Sequence, residues 1–264
     1  MGYLACALLR KNKIMSSYTG QHTMFLRTGW WKAFGCALCW LAQMTTILRG
    51  NPVGENVISG DASFDRGSSG ILSVTQNSQT AIIHWQDFSI GAGELTRFIQ
   101  PNVDAAVLNR VVSGLPSSIM GSLEANGRVF LINPNGILVG PGGRIDVGSF
   151  TASTLDAGDG EFLAGGDVLF QGESMAGVTN QGTINAIGGD IFLLARNVEN
   201  EGSLNAPQGT VGLAAGTEIL LKQAGSERVF VRAGQNSSVT NSGGGGGCDR
   251  GVEGARQCLC TGGE

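Results

Sequence analysis

Few side chains in this sequence have the types and spacing that catalysis requires. His84 is the only histidine between residues 51 and 243, and Lys222 is the only lysine there. Sugar-cleaving enzymes need paired carboxylates, or an acid held by calcium beside a basic residue. Only Asp167 and Asp190 could form such a pair, if they lie one above the other in neighbouring units of the fold. With one histidine and no cysteine, residues 51–243 lack the side chains that a nucleophilic triad or a zinc site requires. We therefore predict a chain that is not an enzyme and binds no metal or cofactor.

A turn signal stands between two apolar runs in the middle of the sequence. The tetrapeptide Asn133-Pro134-Asn135-Gly136 combines an amide that caps its own backbone, a proline that presets φ, and a glycine that accepts a positive φ. The chain is therefore predicted to bend or reverse there. The nearby glycines over residues 140–143 fit neither a phosphate loop nor a calcium repeat in their spacing, so we interpret them as a second corner.

Charge and cysteine divide the sequence into three zones. Residues 1–50 carry six Lys and Arg and no acid, whereas residues 51–243 carry nine Lys and Arg against eighteen Asp and Glu. The resulting net charge of about −9 in the middle zone argues against a nucleic-acid partner. All six cysteines lie outside that zone. This is typical of export through an oxidising compartment, although a general scarcity of cysteine would give the same pattern.

The two ends of the sequence differ from the middle zone. Basic residues precede an uncharged apolar run over residues 33–48, which is the order of a signal peptide and is shorter than the roughly 20 residues of a membrane span. We predict a leader over residues 1–50, with Met24 as an alternative start, followed by one domain over residues 51–243. Residues 244–264 have neither strand nor helix periodicity, which indicates an aberrant or truncated tail.

An internal repeat marks the second half of the middle zone. Residues 178–195 align with residues 198–215 at an offset of 20 without a gap, and the motif Val-Thr-Asn-x-Gly returns at Val239. The Gly-Gly-Asp sequence at 165–167 precedes its copy at 188–190 by 23 residues, which predicts coils of unequal length. Seven identities carry the alignment: Asn180, Gly182, Asn185, Ala186, Gly189, Leu193 and Ala195, repeated as Asn200, Gly202, Asn205, Ala206, Gly209, Leu213 and Ala215.

This repeat predicts an all-β parallel β-helix with about 20 residues per coil. Ile191, Leu193 and Ala195 alternate with other residues, so one face of their strand is expected to pack on a core. A unit this small cannot fold alone and must stack on the next unit about 4.8 Å along. Roughly nine coils would fit between residues 51 and 243. Leucine-rich repeats share the period, but their consensus is absent.

Stacked coils also predict ladders of asparagine side chains. Asn180 would lie above Asn200, and Asn185 above Asn205, because each pair occupies equivalent positions in consecutive units. Amide ladders of this kind stabilise other stacked β-structures. The four asparagines are therefore candidate structural residues.

The ordered motifs from Val53 to about Gly243 resemble the N-terminal secretion domain of the filamentous haemagglutinin family, the exoproteins of two-partner secretion. The series begins with VGENVISGDASF at Val53 and continues with VLNRVVSG at Val107. It then runs through SIMGSLEANGRVFLINPNGILVG at Ser118 and IDVGSFTAST at Ile145 to the Asn- and Gly-rich repeats. The resemblance covers most of the chain, and the whole series is far more specific than any one of its pieces.

The resemblance implies a right-handed parallel β-helix, a single-stranded superhelix like that of pectin lyases, with an N-terminal β cap. It implies recognition in the periplasm by POTRA domains of an outer-membrane transporter, and folding as the chain reaches the cell surface or medium. A second family motif, Asn-Pro-Asn-Leu, has no counterpart here. The residues that match the family's secretion motifs are Asn133, Pro134, Asn135 and Gly136, together with Asn109 and Arg110.

Family members continue into a β-helical passenger such as an adhesin, haemolysin or toxin. Adhesion, toxicity and any contact with host-surface receptors are therefore expected of residues outside this sequence. Three alternatives remain open at this point: a β-helical polysaccharide lyase or hydrolase, a free-standing adhesive fragment, and a non-functional fragment. The enzyme alternative is the one that requires Asp167 and Asp190 to stack.

Overall fold

The described part of the chain is almost entirely β-structure. The structure, a computed structural model, describes residues 50–222, 229–232 and 234–243, and the backbone of residues 257–261. The predicted leader lies outside the described residues. The strands of the first half are β1 Asn56–Ser59, β2 Ala62–Asp65, β3 Ile71–Gln76, β4 Thr80–Trp85, β5 Leu95–Ile99, β6 Ala106–Val111, β7 Ser117–Ile119, β8 Ser122–Ala125, β9 Arg128–Ile132, β10 Ile137–Val139, β11 Arg144–Val147 and β12 Ser149–Ser153.

The described residues of the second half form strands of similar length and one short helix. This helix, α1, spans Asp159–Ala164 and ends at Gly165 in the left-handed conformation. The strands are β13 Asp156–Ala157, β14 Val168–Gln171, β15 Gly177–Asn180, β16 Thr183–Ala186, β17 Ile191–Ala195, β18 Asn197–Asn200, β19 Ser203–Asn205, β20 Thr210–Ala215, β21 Glu218–Leu221, β22 Val229–Arg232, β23 Ser238–Asn241 and β24 Gln257–Thr261.

Three sheets wind around a common core, which confirms the predicted parallel β-helix. Sheet A has the order β1-β4-β6-β9-β12-β17-β20-β24, sheet B the order β23-β18-β15-β10-β7, and sheet C the order β19-β16-β11-β8-β5-β3-β2. Every neighbouring pair from β4 to β20 in sheet A is parallel. At the first end β1 and β2 pair antiparallel with β4 and β3, which is the predicted N-terminal cap.

The repeat is confirmed, but the expected number of coils is wrong. Ile191 pairs with Val211 and Val178 with Val198, both at the predicted offset of 20. Sheet A, however, contains six parallel strands from β4 to β20, so the helix has about six turns rather than nine. The other residues form the cap and two excursions from the helix. Dividing the length of residues 51–243 by the 20-residue period counts these residues as coils too.

The excursions build a fourth sheet outside the helix, here called the extra-helical sheet, with the order β13-β14-β21-β22. All of its pairings are antiparallel. The Gly-Gly-Asp sequence at 165–167 leads into β14 of this sheet, so the interpretation of that sequence as part of a coil is wrong. Asp190 instead precedes β17, whose partner in the previous coil is β12.

Two hydrophobic cores hold these layers together. The inner core lies between sheets A, B and C and includes Leu131, Phe150 and Leu193. The outer core lies between sheet A and the extra-helical sheet and includes Phe130 and Phe170. All of β17 is consequently buried, because both faces of its strand are covered. Each large apolar side chain that is fully buried contributes roughly 1.5–3 kcal/mol, so the extra-helical sheet is an integral part of the fold.

The described residues of the predicted tail form a strand. Backbone residues 257–261 form β24, which pairs antiparallel with β20 at the last edge of sheet A. Parallel pairing continues along sheet A up to β20 and stops there. The strand pairing describes the tail without testing its origin, so an aberrant or truncated tail stays a prediction.

Candidate functional site

The sequence Asn133 to Gly136 forms a tight corner between sheets A and B. It follows β9 and precedes β10, so the chain bends from one sheet to the next and does not reverse. The N–H of Gly136 donates to the carbonyl oxygen of Asn133 at 3.1 Å, and the N–H of Asn135 donates to Asn133 Oδ1 at 2.9 Å. Gly136 has a φ of 111°, which favours glycine over any residue with a Cβ.

Asn133 is fully buried and ties the corner to the preceding coil. Its Nδ2 donates to the carbonyl oxygen of Leu115 at 3.0 Å and to Ser117 Oγ at 2.9 Å. Its backbone N–H donates to the carbonyl oxygen of Ser153 in the following coil at 2.9 Å. Because both the amide nitrogen and the amide oxygen are used, this side chain meets the requirement that buried polar groups be paired. Its position indicates a role in the fold.

Pro134 and Asn135 form the exposed part of the same corner. Asn135 Nδ2 donates to the carbonyl oxygen of Ser113 at 2.8 Å, and Ser174 Oγ donates to that of Pro134 at 2.6 Å. Three successive coils therefore contact one another here. Exposed apolar side chains stand in the loops on both sides, among them Leu115 and Met175.

Asn109 lies on β6 and is fully buried in the neighbouring coil. Its Oδ1 accepts from Trp85 Nε1 at 2.9 Å, and its Nδ2 donates to the carbonyl oxygen of Phe130 at 3.2 Å. Trp85 is itself enclosed edge-on by Phe64 and Phe88, with ring centroids 5.7 and 5.5 Å away. Asn109, on β6, is thus connected to β4 through the indole of Trp85 and to β9 through the carbonyl oxygen of Phe130.

Arg110 points away from the inner core into a polar cluster that the sequence did not reveal. Its Nε lies 2.9 Å from Asp156 Oδ1 and its Nη1 lies 2.7 Å from Asp159 Oδ1. Its Nη2 donates to the carbonyl oxygen of Ala157 at 2.7 Å, and Nη1 also lies 3.2 Å from His84 Nε2. The side chain is only 12% exposed. Arg110 therefore joins sheet A to the segment that begins the extra-helical sheet.

His84 is the partly buried member of that cluster, and its imidazole contacts Arg110. Burial lowers the pKa of His84 from its ordinary value, and the adjacent Arg110 guanidinium lowers it further, while Asp159 and Asp156 oppose the shift. A neutral imidazole whose Nε2 carries no proton accepts a hydrogen bond from the arginine. His84 therefore has a structural role in this cluster, as the acceptor of a hydrogen bond from Arg110.

The structure brings the two sequence motifs together on adjacent strands. In the register of sheet A, Asn109 is opposite Leu131 and Arg110 is opposite Ile132, immediately before the Asn133 corner. The three side chains nevertheless face different surroundings. Asn109 and Asn133 make hydrogen bonds within and between the coils, and Arg110 faces the extra-helical sheet.

The candidate asparagine ladders occupy two positions of very different burial. Asn180 Nδ2 donates to Asn200 Oδ1 at 2.7 Å, and Asn200 Nδ2 donates in turn to Asn241 Oδ1 at 2.8 Å, with Asn180 and Asn200 both buried. Asn205 is exposed, and its Nδ2 lies 3.5 Å from Asn185 Oδ1. The inner ladder thus joins three asparagines by two short bonds. In the outer ladder the bond between Asn205 and Asn185 is long, and Asn185 Nδ2 also donates to Asp146 Oδ1 of the preceding coil at 2.6 Å.

The geometry gives no support to sugar-cleaving chemistry at Asp167 and Asp190. The expected stacking of these two residues is wrong, because one precedes a strand of the extra-helical sheet and the other precedes a strand of sheet A. Lys222 Nζ lies 5.1 Å from the ring centroid of Phe230, a cation–π contact. Within the described residues, no group of three or more His, Cys, Asp or Glu side chains is placed to hold a metal ion.

Among the described residues, no helix combines the length and the hydrophobicity that crossing a membrane requires.

Comparisons with known proteins point to one family. A protein-family model described as the TPS secretion domain matches residues 59–246. The solved HMW1 secretion domain from Haemophilus influenzae is 31% identical with a TM-score of 0.65, and the match covers 72% of this chain and 52% of that one. The solved filamentous hemagglutinin secretion domain has a TM-score of 0.54 at 17% identity, over 74% and 77% of the two chains, which is a likeness of fold.

A curated relative matches a shorter part of the chain. The heme/hemopexin-binding protein of Haemophilus influenzae is 36% identical over 105 residues, which is 40% of this chain and 11% of that protein. The same protein of strain KW20 matches equally well over 12% of its length. The chain therefore spans about a tenth of the length of the curated relatives that it matches.

Proposed function

Because the chain belongs to the family of TPS secretion domains, the secretion domains of two-partner secretion exoproteins, we propose that residues 51–243 are recognised in the periplasm by POTRA domains of the partner transporter. The family's exoproteins are secreted across the outer membrane to the cell surface or into the medium, and the family implies an outer-membrane transporter as partner. The observation that carries the proposal is the family match over residues 59–246, which includes the whole β-helix and the Asn133 corner.

Strand pairing supplies the physical basis for this recognition. While part of the chain is still unfolded, its strands offer unpaired N–H and C=O groups to the edges of POTRA sheets, and the exposed side chains of a corner that has already formed add specificity. Once outside, each coil buries its inner residues against the previous coil, and the gain in stability draws the chain outward. No ATP is needed for export by this route.

Within the secretion motif we assign recognition to the exposed residues and folding to the buried ones. Pro134 and Asn135 are exposed at the corner, so a partner can reach them. The side chains of Asn133, Asn109 and Arg110 are bonded inside the protein. Loss of secretion in variants of those three residues would therefore follow from loss of the fold.

The test compares variants on the two sides of the corner in cells that produce the cognate transporter. Replacement of both Pro134 and Asn135 by alanine is expected to leave the unfolding midpoint close to that of the parent chain and to reduce surface display at least tenfold. Asn205→Ala, an exposed asparagine away from the corner, is the matched control and should be displayed normally. Normal display of the double variant would remove the corner from the recognition surface.

Two further substitutions at the corner report on its backbone. Asn135→Pro removes the N–H that donates to Asn133 Oδ1, and Gly136→Val places a β-branched residue at a φ of 111°. Both are expected to lower stability and to block secretion together. If either variant is displayed at the parent level, the turn has no role in export.

We also propose that the domain itself catalyses no reaction and that adhesion or toxicity belongs to a passenger that follows it in the intact exoprotein. Two of its titratable groups support this, since His84 is bonded to Arg110, and Arg110 is bonded in turn to Asp156 and Asp159. Contacts with host-surface receptors would be made by that passenger. Incubation of the purified chain with a panel of polysaccharides, followed by a reducing-end assay, tests the absence of sugar cleavage.

A further inference from the structure

Four charged or titratable side chains form a compact cluster outside the corner, here called the Arg110 clasp. The cluster joins strands β4 and β6 of sheet A to β13 and α1. It lies beside the outer hydrophobic core, at the point where the chain leaves the helix for the extra-helical sheet. Its members are His84, Arg110, Asp156 and Asp159.

The donors of Arg110 are distributed over all three partners and a backbone carbonyl. Nε bonds Asp156, Nη2 bonds the carbonyl oxygen of Ala157, and Nη1 is shared between Asp159 and His84. One guanidinium thus holds both ends of the turn between β13 and α1. Glu161, the other acid of α1, accepts from the N–H of Leu169 on β14 at 3.2 Å and has a different partner.

The contact between Nη1 and His84 Nε2 restricts the protonation state of the histidine. At 3.2 Å the arginine must donate and the imidazole must accept, which requires that Nε2 carry no proton. A protonated imidazole would place an N–H against an N–H and a second positive charge beside the guanidinium. The two aspartates reduce this repulsion, but both already bond Arg110.

We propose that the Arg110 clasp is an acid-sensitive latch that holds the turn between β13 and α1 against sheet A and releases that turn when His84 is protonated. The lowered pKa of His84 agrees with this, because burial and Arg110 are its two largest causes. A histidine whose pKa is lower in the closed state stabilises that state fully above its ordinary value near 6.5. The stabilisation is then lost as pH falls from that value through the lowered one.

The clasp is positioned to act locally. Phe162 of α1 packs on Phe130 of sheet A with ring centroids 5.2 Å apart, and Phe170 of β14 is fully buried, so the centre of the extra-helical sheet stays anchored by apolar contacts. The turn at Asp156 to Asp159 is held by the short pairing of β13 with β14 and, at both of its ends, by Arg110. Acid should therefore open this turn before the coils unfold.

Hydrogen exchange read by mass spectrometry on the full chain tests the latch. Protection of peptides covering residues 155–165, corrected for the intrinsic effect of pH on exchange, should fall between pH 7.5 and 5.0, by up to about tenfold for each unit by which closure lowers the His84 pKa. Peptides covering β9 and β12 should keep their protection. His84→Gln, which retains an acceptor and cannot be protonated, should abolish the pH dependence.

Two outcomes would overturn the latch. One is a parent chain whose residues 155–165 keep the same protection at both pH values, and the other is a His84→Gln chain with the same pH dependence as the parent. Arg110→Gln should open the turn at both pH values. If that variant does not fold, the comparison between the parent and His84→Gln still decides the proposal.

Discussion

Replacement of Asn133 by alanine is the perturbation that best separates folding from recognition at the secretion corner. The side chain is fully buried and takes part in four hydrogen bonds: its Oδ1 accepts from the N–H and from Nδ2 of Asn135, and its Nδ2 donates to the carbonyl oxygen of Leu115 and to Ser117 Oγ. Alanine removes the amide and leaves its former partners without a replacement. The loss falls on the coil before the corner as well as on the corner itself.

The magnitude follows from the cost of unpaired buried groups. Each intramolecular hydrogen bond contributes about 1 kcal/mol net, and a buried group left unsatisfied costs about 1–3 kcal/mol. Because the carbonyl of Leu115 and the hydroxyl of Ser117 both lose a donor, we expect Asn133→Ala to lower the free energy of unfolding by about 2–4 kcal/mol. Asn135→Ala removes two bonds, to the carbonyl oxygen of Ser113 and to Asn133 Oδ1, from an exposed residue whose place water can take, and should cost about 0.5–1 kcal/mol.

Urea unfolding followed by circular dichroism measures both variants. With a slope of roughly 2 kcal/mol per molar urea, Asn133→Ala should shift the midpoint by about 1–2 M at an unchanged slope. Secretion of this variant should recover at lower growth temperature if its defect is one of stability. Equal, small losses in both variants would refute the assignment of Asn133 to the fold. A stable Asn133→Ala chain that is not secreted would instead assign it to recognition.

Three other changes test the stacking of the coils and layers. Asn200→Ala should lower the free energy of unfolding by about 2–3 kcal/mol, because Asn180 and Asn241 both lose a partner, whereas Asn205→Ala, on the solvated ladder, should cost less than about 0.5 kcal/mol in the same urea titration. Gly202→Ala would press a Cβ onto a carbonyl oxygen of the preceding coil and should cost about 3 kcal/mol by thermal unfolding, while Gly188→Ala, where a Cβ meets open space, is its control and should be neutral. Phe170→Ala should cost about 3–5 kcal/mol and should raise binding of a hydrophobic dye, because it opens the outer core; a loss below 1 kcal/mol would mean that the extra-helical sheet is only loosely attached.

The coils could be predicted because their physics is local and periodic. An offset of 20 between identical Asn and Gly residues fixes the register of β15 on β18 and of β17 on β20, and the structure has that register. Coil number could not be obtained in this way. The residues of β14 and β21 look like any other apolar strand, and nothing in their sequence says that they pair with each other and leave the helix.

The candidate site was predicted as a set of residues but not as a geometry. The turn chemistry of Asn133 to Gly136 is visible in the sequence, because proline and glycine restrict the backbone wherever they occur. Burial of the Asn133 amide depends on Ser117 and Leu115, which the sequence did not mark. The Arg110 clasp was likewise hidden, since its acids come 46 and 49 residues later in the chain.

The pairing of β14 with β21 imposes an order of events on export. Val168 is bonded opposite Leu221, so a strand from the fourth coil waits for a partner 53 residues further along the chain. Until that partner has crossed the membrane, the outward-facing phenylalanines and leucines of sheet A have only part of their cover. Long-range closure of this kind is slow compared with the addition of one coil to the next. The domain would therefore emerge first as a growing stack of coils with the apolar outer face of sheet A partly exposed to water. That face would be fully covered in a single late step, when residues 218–232 arrive.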